Sequence, residues 1–387
     1  MNSSELRSTL ALAGIFGLRM LGLFLLLPVF SLHARDLPGG ENALWVGLAL
    51  GIFNIVQAFF HIPLGILSDR VGRKPVVLWG LSLFIAGSLI AASQDDLLWI
   101  AIGRGLMGAG AISAAVSAWV ADLTREQVRT AAMAIVGGSI GISFALSLVI
   151  ATPIYRAIGL DGMFLLLAAL GLIGFLVAWL MVPSPPKQIR SKHQPLKQIF
   201  LRPELFRLNV GVFVLNATQV AMFLVVPRLL VDAGLPLDDH WKIYFPVVVV
   251  SFFLMLPGII YGEKKKKLRL VLLTAVVILL IAQIIFLQAH SITTIVSALL
   301  IYFVGFNLLE ALQPSMVSRW AKDEKGAALG IYNTTQSVGL FTGAALGGLM
   351  MQIFGNLSVF IGGTVLIIAW LIIAWPMRDI SSSQTAK

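Results

Sequence analysis

Long apolar runs, interrupted by short polar segments, make up almost the whole of this sequence. Of its 387 residues, 58% are hydrophobic and 12% are charged, and that charged share is about half of what a soluble globular protein carries. No water-soluble fold of this length can cover so much apolar surface, so an ordinary soluble enzyme is excluded. A helix that crosses a membrane needs about 20 apolar residues, and the runs reach that length. The sequence therefore predicts an all-α integral membrane protein.

The apolar runs form two sets of six predicted transmembrane helices. The first set lies at about 9–33, 42–68, 75–93, 97–121, 129–156 and 160–182. The second lies at about 207–231, 240–262, 268–289, 292–318, 326–354 and 357–377. Between the sets, a stretch rich in proline and basic residues is typical of a linker. We therefore expect three parts: an N-terminal six-helix bundle (1–182), a cytoplasmic linker (183–202) and a C-terminal six-helix bundle (203–387).

The basic residues indicate how the chain is oriented. With the N-terminus inside the cell, 22 of the 28 Lys and Arg flank the predicted helices on the inside, four lie outside, and Arg19 and Arg104 lie within helices. Cytoplasmic loops of membrane proteins carry such an excess of positive charge. We expect both termini to be cytoplasmic, and we attribute the net charge of +10 to topology and contact with the lipid bilayer rather than to nucleic acid.

Three short segments recur at nearly one offset. Pro63–Arg73 matches Pro257–Lys267 after 194 residues, Thr130–Ile135 matches Gly326–Ile331 after 196, and Phe24–Pro28 matches Phe223–Pro227 after 199. An offset close to half the chain indicates that the two bundles are pseudo-repeats in the same orientation. Parallel repeats of this kind are expected to form a substrate site at their interface, near the middle of the membrane.

The predicted loop between helices 2 and 3 carries the most specific motif. It reads Gly-Ile-Leu-Ser-Asp-Arg-Val-Gly-Arg-Lys, and its residues of interest are Gly65, Asp69, Arg70, Gly72, Arg73 and Lys74. So few polar residues separate the helices that the turn must be tight, and a glycine permits the backbone that such a turn needs. The charges could simply mark a solvated cytoplasmic loop, or the carboxylate among basic residues could form an interhelical lock.

This motif, together with twelve helices in two halves, resembles the signature of the major facilitator superfamily. The stretches Leu18–Gly22, Asp122–Gln127 and Phe306–Ala311 resemble its drug:proton antiporter group, and within it the YajR type. The resemblance implies that Asp69 faces the N-terminus of helix 11 and that Arg73 pairs with Asp122, so that the motif acts as a conformational gate on the cytoplasmic side. It also implies that Arg104 takes part in proton coupling, with a structural hydrogen-bonding role as the alternative.

The antiporter signature that the resemblance implies for helix 5 is incomplete. Gly137, Gly141 and Pro153 are present, but Thr152 stands before the proline and the glycines that should follow are missing. Helix 11 has a face of small residues instead, at Gly339, Gly343 and Gly347.

Placing a charged or titratable side chain inside a transmembrane helix costs free energy, and such residues usually have a function. Glu310 is the one carboxylate placed well inside a predicted span. Burial disfavours the charged form of a carboxylate, so Glu310 could carry protons, or it could be a permanently ionised partner of Arg19 or Arg104. His61 could switch its charge, or it could be a neutral residue hydrogen-bonded between helices. We group Arg104, Glu310, Arg19 and His61 as candidates for proton coupling.

Embedded amides supply candidates for the substrate cavity, with packing contacts between helices as the alternative. They are Asn54, Gln57, Asn216, Gln219, Asn307, Gln313, Asn333 and Gln336. The sequence contains no Gly-x4-Gly-Lys-Ser/Thr loop for ATP, no cysteine, and five scattered histidines. We therefore expect no catalytic residues, no metal site and no cofactor.

The function expected from these features is secondary active transport. We expect a monomer in the bacterial inner membrane that alternates access between its two bundles and exports small, largely apolar compounds in exchange for protons. Proton-linked uptake or exchange of a metabolite is the alternative, and a non-transporting membrane receptor is a more distant one.

Overall fold

The computed structural model describes residues 1–34, 37–184, 196–321 and 325–379. Every regular element in these residues is helical. Apart from a short 3₁₀ turn at Leu237–Asp239, the helices are α1 (Ser3–Leu25), α2 (Leu27–His33), α3 (Ala43–Val71), α4 (Arg73–Ala92), α5 (Leu97–Ala109), α6 (Ser113–Leu123), α7 (Glu126–Leu180), α8 (Leu196–Phe200), α9 (Pro203–Asp232), α10 (Trp241–Lys265), α11 (Leu268–Phe286), α12 (Ile292–Ala321), α13 (Lys325–Phe354) and α14 (Asn356–Ala374).

The predicted fold class is confirmed. In the described residues, 11 helical segments are long and apolar enough to cross a membrane, and a shorter apolar helix spans Ile135–Ser147. That shorter helix lies within α7, which covers the predicted helices at 129–156 and 160–182. Inside α7, Gly159 has φ +67° and ψ −175°, a conformation open to glycine but strained for other residues. The interruption at Gly159 divides α7 into two transmembrane helices, so the described residues contain twelve in all.

Two helices that the sequence predicts as continuous are interrupted in the structure. Predicted helix 1 divides into α1 and α2 just before Pro28, because proline has no N–H to continue the helical hydrogen bonds. Predicted helix 4 divides into α5 and α6 at Gly110, where a Cβ would lie 3.0 Å from the carbonyl carbon of Gly80 on α4. The predicted linker also contains the short helix α8.

The chain divides into two compact units, Met1–Ser191 and Lys192–Lys387. In the first unit α1 packs on α7, α3 packs on α5, and α4 packs on both α5 and α7. In the second unit α9 packs on α13, α10 packs on α12, and α11 packs on both α12 and α14. The same pairs of helices therefore meet in each unit, as the repeats in the sequence predict.

Small residues bring α9 and α13 unusually close together. A Cβ added to Gly339 would lie 2.6 Å from the backbone oxygen of Phe213, and one added to Gly347 would lie 3.0 Å from Ala221 Cβ. Between them, a Cβ on Gly343 would collide with the backbone of Ala217. The glycine face predicted on helix 11 is thus the surface that contacts α9, which fits the use of small residues in membrane helix packing.

Candidate functional site

The motif turn between α3 and α4 depends on Gly72. Its φ of +106° lies in the region that favours glycine, and it separates the last residue of α3 from the first residue of α4. Because the turn is a single residue, the charged residues on both sides of it lie close to the helix ends. Arg70 is exposed, whereas the side chain of Asp69 lies outside the described part, so its expected position opposite helix 11 stays a prediction.

Arg73 connects the motif to α6. Its Nε donates a hydrogen bond to Asp122 Oδ2 at 2.9 Å, and the two side chains are only 11% and 14% exposed. Arg73 Nη1 also donates to Ser68 Oγ at 2.7 Å, and Ser68 Oγ donates to the carbonyl oxygen of Gly65 at 2.7 Å. Hydrogen bonds that involve charged groups are stronger than neutral ones, so this chain of contacts holds the ends of α3, α4 and α6 together.

Lys74 joins the same segment to the end of α7. Its Nζ donates to the carbonyl oxygens of Trp179 at 2.6 Å and Val182 at 3.0 Å. The last carbonyls of a helix have no partners within the helix, and a cation is favoured beside them. Trp119 Nε1 donates to the carbonyl oxygen of Pro183 at 3.0 Å, so two contacts fix the point where the chain leaves α7.

A second charge contact lies at the start of α1, and the sequence analysis did not predict it. Glu5 Oε1 accepts hydrogen bonds from the backbone N–H and the Nε of Arg125, and Glu5 Oε2 accepts one from Arg125 Nη2. Glu5 also forms a capping box with Asn2. The Asn-x-x-Glu pattern could have revealed the cap, but not the partner 120 residues further along the chain.

Arg104 and Arg19 are both buried among the helices of the first unit. Arg104 donates from Nε to the carbonyl oxygen of Ala49 at 2.8 Å and from Nη2 to that of Leu50 at 2.7 Å. Arg19 donates from Nη1 to Ser113 Oγ at 3.4 Å, while its Nε and Nη2 have no hydrogen-bond partner in the described structure. Both guanidinium groups lie over the ring of Phe53.

The predicted polar residues of α3 share one face of that helix. Gln57 Nε2 and His61 Nε2 are 3.2 Å apart, one turn from each other. Asn54 is buried too, and Asn54 Oδ1 and Gln57 Oε1 have no hydrogen-bond partner in the described structure. The contact between His61 and Gln57 lies within α3, and the hydrogen bond between helices that the sequence suggests for His61 stays a prediction.

Two predicted amides meet a predicted carboxylate in the second unit. Asn216 Nδ2 on α9 donates to Glu310 Oε1 on α12 at 3.3 Å. Gln336 Nε2 on α13 lies 3.4 Å from Glu310 Oε1 and 3.3 Å from Asn216 Oδ1. Within this unit the carboxylate has amide donors and no cationic partner among the described residues. We refer to Asn216, Glu310 and Gln336 as the amide–carboxylate cluster.

The remaining amides do not join this cluster. Asn307 Nδ2 donates to Ser251 Oγ at 2.9 Å, which links α12 to α10. Gln219 and Gln313 are buried, and none of their side-chain nitrogen and oxygen atoms has a partner among the described residues. Asn333 is half-buried on α13. Buried polar groups without partners are uncommon in proteins, so these amides mark places where water or a ligand would find hydrogen bonds.

Comparison with known proteins agrees with this architecture. The family model described as Major Facilitator Superfamily matches residues 12–315 and 267–386. The chain is 39% identical to the inner membrane transport protein YajR of Escherichia coli (strain K12), over 98% of this chain and 85% of that protein. It is 23% identical to the quinolone resistance protein NorA of Staphylococcus aureus (strain MRSA252), over 90% of this chain and 92% of that protein.

A solved structure shows the same fold. It is that of a bacterial homolog to the human lysosomal transporter Spinster, in an inward-facing and occupied conformation, and it aligns with a TM-score of 0.77 at 15% identity. The alignment covers 100% of this chain and 98% of the other. Together with the family match and the relationship to YajR, the twelve helices and the motif between α3 and α4 lead to one conclusion. The chain belongs to the Major Facilitator Superfamily and is a multi-pass membrane transporter, not an enzyme.

Proposed function

We propose that this transporter exports small, largely apolar compounds in exchange for protons. The observation that carries the proposal is the amide–carboxylate cluster. Glu310 is placed well inside a transmembrane helix, and its neighbours Asn216 and Gln336 are neutral. A charged carboxylate in such a setting costs free energy. Uptake of a proton removes that charge. A residue that gains and loses a proton as access alternates is what proton coupling requires.

The protonmotive force is large enough for such an exchange. One elementary charge that crosses a membrane potential of 100 mV releases about 2.3 kcal/mol. Because about 1.4 kcal/mol corresponds to a factor of ten, one proton could sustain roughly a fifty-fold gradient of a neutral compound. The name of NorA, a quinolone resistance protein, supports drug-like compounds as a class to test.

The motif residues would act as the conformational gate of this cycle. The proposed gate consists of Gly65, Asp69, Arg70, Gly72, Arg73, Lys74 and Asp122. In the structure Arg73 links α4 to α6, and Lys74 links α4 to the end of α7. Breaking such contacts in one conformation and forming them in another would bias the equilibrium between two states.

The unpartnered amides supply candidate contacts for the transported compound. Gln219 and Gln313 have free donors and acceptors within the second unit, and Asn54 and Gln57 offer free oxygens within the first. A largely apolar compound with a few polar groups would suit such a lining, because scattered amides fix orientation without demanding charge.

We place the transporter in the bacterial inner membrane as a monomer with both termini in the cytoplasm. The relationship to the inner membrane protein YajR supports the compartment, and the excess of Lys and Arg in the predicted inner loops supports the orientation.

Transport by purified protein in liposomes with an imposed pH gradient tests this function. The compounds would include a fluoroquinolone, several organic cations and neutral analogues of similar size, and internal pH would be followed with a trapped dye. Compound-dependent proton flux opposite to the movement of the compound would support antiport. Movement in the same direction would favour the alternative of proton-linked uptake, and binding without flux would favour a receptor.

A further inference from the structure

An apolar groove of the first unit lies between the N-terminal half of α1 and the end of α7. It has a volume of about 570 Å³ and is lined on α1 by residues that recur every three or four positions between Ser3 and Leu18. Val177 and Met181 form the other wall. Gly14 keeps the groove open, because no atom lies within 4 Å of the place where its Cβ would be.

The length of the groove matches the depth of one leaflet of a bilayer. From Arg7 to Leu18 the helix rises 11 residues, or about 16 Å at roughly 1.5 Å per residue. Half of a hydrocarbon core of about 30 Å is about 15 Å. The membrane-spanning segment runs over Ser3–Phe30, so Leu18 lies near its middle. The groove thus extends from one membrane surface to the centre of the bilayer.

The end of the groove near the start of α1 carries a positive charge that has no partner among the described residues. Arg7 is exposed and forms no hydrogen bond or ion pair with the described residues. The nearest acidic residue along α1, Glu5, is only 6% exposed, and both of its oxygens are engaged by Arg125 and Asn2. Arg7 therefore has no carboxylate partner among the described side chains, and the wall beyond it is formed by exposed apolar side chains such as Leu10.

We propose that this groove binds one anionic phospholipid, with its headgroup on Arg7 and one acyl chain along α1 towards Leu18. The apolar groove is as deep as one leaflet and would fit an acyl chain, and the cation at its end would fit an anionic headgroup. Each basic residue near the membrane surface contributes attraction to anionic headgroups. The inference concerns this groove of the first unit and does not depend on proton coupling or on the transported compound.

Native mass spectrometry of the delipidated, full-length protein tests the proposal. The probes are phosphatidylglycerol and phosphatidylcholine with identical acyl chains, titrated separately. We expect the first phosphatidylglycerol to bind about fivefold more tightly, which corresponds to one basic contact. Arg7→Gln should remove that preference, and Gly14→Leu should weaken both lipids because its side chain occupies the groove.

Matched variants keep the test specific. Lys242→Gln removes an exposed cation of the second unit that already pairs with Asp239, and Gly137→Leu adds the same side chain at another exposed helical glycine with free space around it. Both should bind the lipids as the parent does. Replacing glycine by leucine favours a helix, and circular dichroism would verify folding of Gly14→Leu.

Three results would overturn the proposal. The first is unchanged lipid binding in both Arg7→Gln and Gly14→Leu. The second is displacement of the bound phosphatidylglycerol by inorganic phosphate alone, which would make Arg7 a simple anion site. The third is a dimer that Gly14→Leu dissociates, which would show that a second copy of the chain covers the groove.

Discussion

Arg73 and Asp122 form a hydrogen-bonded ion pair, 2.9 Å long and mostly shielded from water, that joins the first residue of α4 to the last turn of α6. The two residues are 49 positions apart in the sequence. Their contact therefore depends on how the ends of α4 and α6 pack together.

Asp122→Asn should slow transport by about tenfold while folding and compound affinity stay near those of the parent. The substitution keeps the shape of the side chain but removes its charge, and hydrogen bonds to charged groups are worth about 1–1.5 kcal/mol more than neutral ones. Initial rates in liposomes and binding titrations measure the two effects. Asp161→Asn, at an exposed carboxylate of α7, is the control, and equal rates for the two variants would contradict a gate.

Glu310→Gln should abolish accumulation driven by a pH gradient but preserve exchange of labelled compound across liposomes. Glutamine keeps the size and hydrogen bonds of the side chain, but it cannot take up and release a proton in the way that the carboxylate does. We expect at least a tenfold loss of proton-driven flux. Asp232→Asn, at an exposed position near the end of α9, should behave as the parent. Normal uphill transport by Glu310→Gln would exclude Glu310 as the proton carrier.

Arg104→Lys should lower the thermal stability of the protein even though it retains the positive charge. The guanidinium of Arg104 reaches two neighbouring carbonyl oxygens of α3 through two different nitrogens, and the compact ammonium of lysine does not reproduce that fork. Loss of one hydrogen bond to a charged group is worth about 1.5–3 kcal/mol. Unfolding in detergent measures stability, and proton-to-compound stoichiometry separates the structural role from a coupling role. An altered stoichiometry with unchanged stability would contradict this prediction and favour a role of Arg104 in proton coupling.

Gly343→Ala should destabilise the second unit, whereas Gly141→Ala should not destabilise the first. The added methyl group collides with the backbone of α9 at Gly343 but meets no atom within 4 Å at Gly141. Overpacking costs about 1–3 kcal/mol, while alanine in place of an unconstrained helical glycine is favourable by up to about 1 kcal/mol. Thermal unfolding in one detergent compares the pair. Equal unfolding temperatures would show that α9 and α13 pack less closely than described.

Reporter fusions should show the linker and the turn between α10 and α11 in the cytoplasm. The prediction follows from the 22-to-4 distribution of basic residues. Fusions within 187–200 and 263–268 should give a cytoplasmic signal, and one within 235–240 an external signal. An external signal from 187–200 would contradict the orientation.

The number and positions of the transmembrane helices could be predicted from the sequence because hydrophobic length alone defines them. The interruption at Gly159 also fell between two predicted helices. The interruption at Gly110 could not be foreseen, because it depends on how closely α5 approaches Gly80. Local patterns describe a helix, whereas this break arises from contact between two helices.

The residues around Glu310 could likewise be predicted one by one, but the contacts between them could not. Buried charge and amide character identify Asn216, Glu310 and Gln336 one by one, but the sequence does not show that these three meet. Nor does it show that Gln219 and Gln313 have no partners among the described residues. The pairing of Glu5 with Arg125 was missed for a related reason. Neither residue lies deep in an apolar run, so the hydropathy pattern does not single it out. Only tertiary structure brings the two together.

The contacts of Lys74 with Trp179 and Val182, and of Trp119 with Pro183, have a mechanical consequence. They clamp the last turn of α7, and the residue that starts the chain towards the second unit, to the same helix ends that hold the motif. The chain therefore leaves the first unit from a point that is held in place, not from a loose helix end. A tilt of α4 at its first turn would move the end of α7 with it, because Lys74 is bonded to the carbonyl oxygens there.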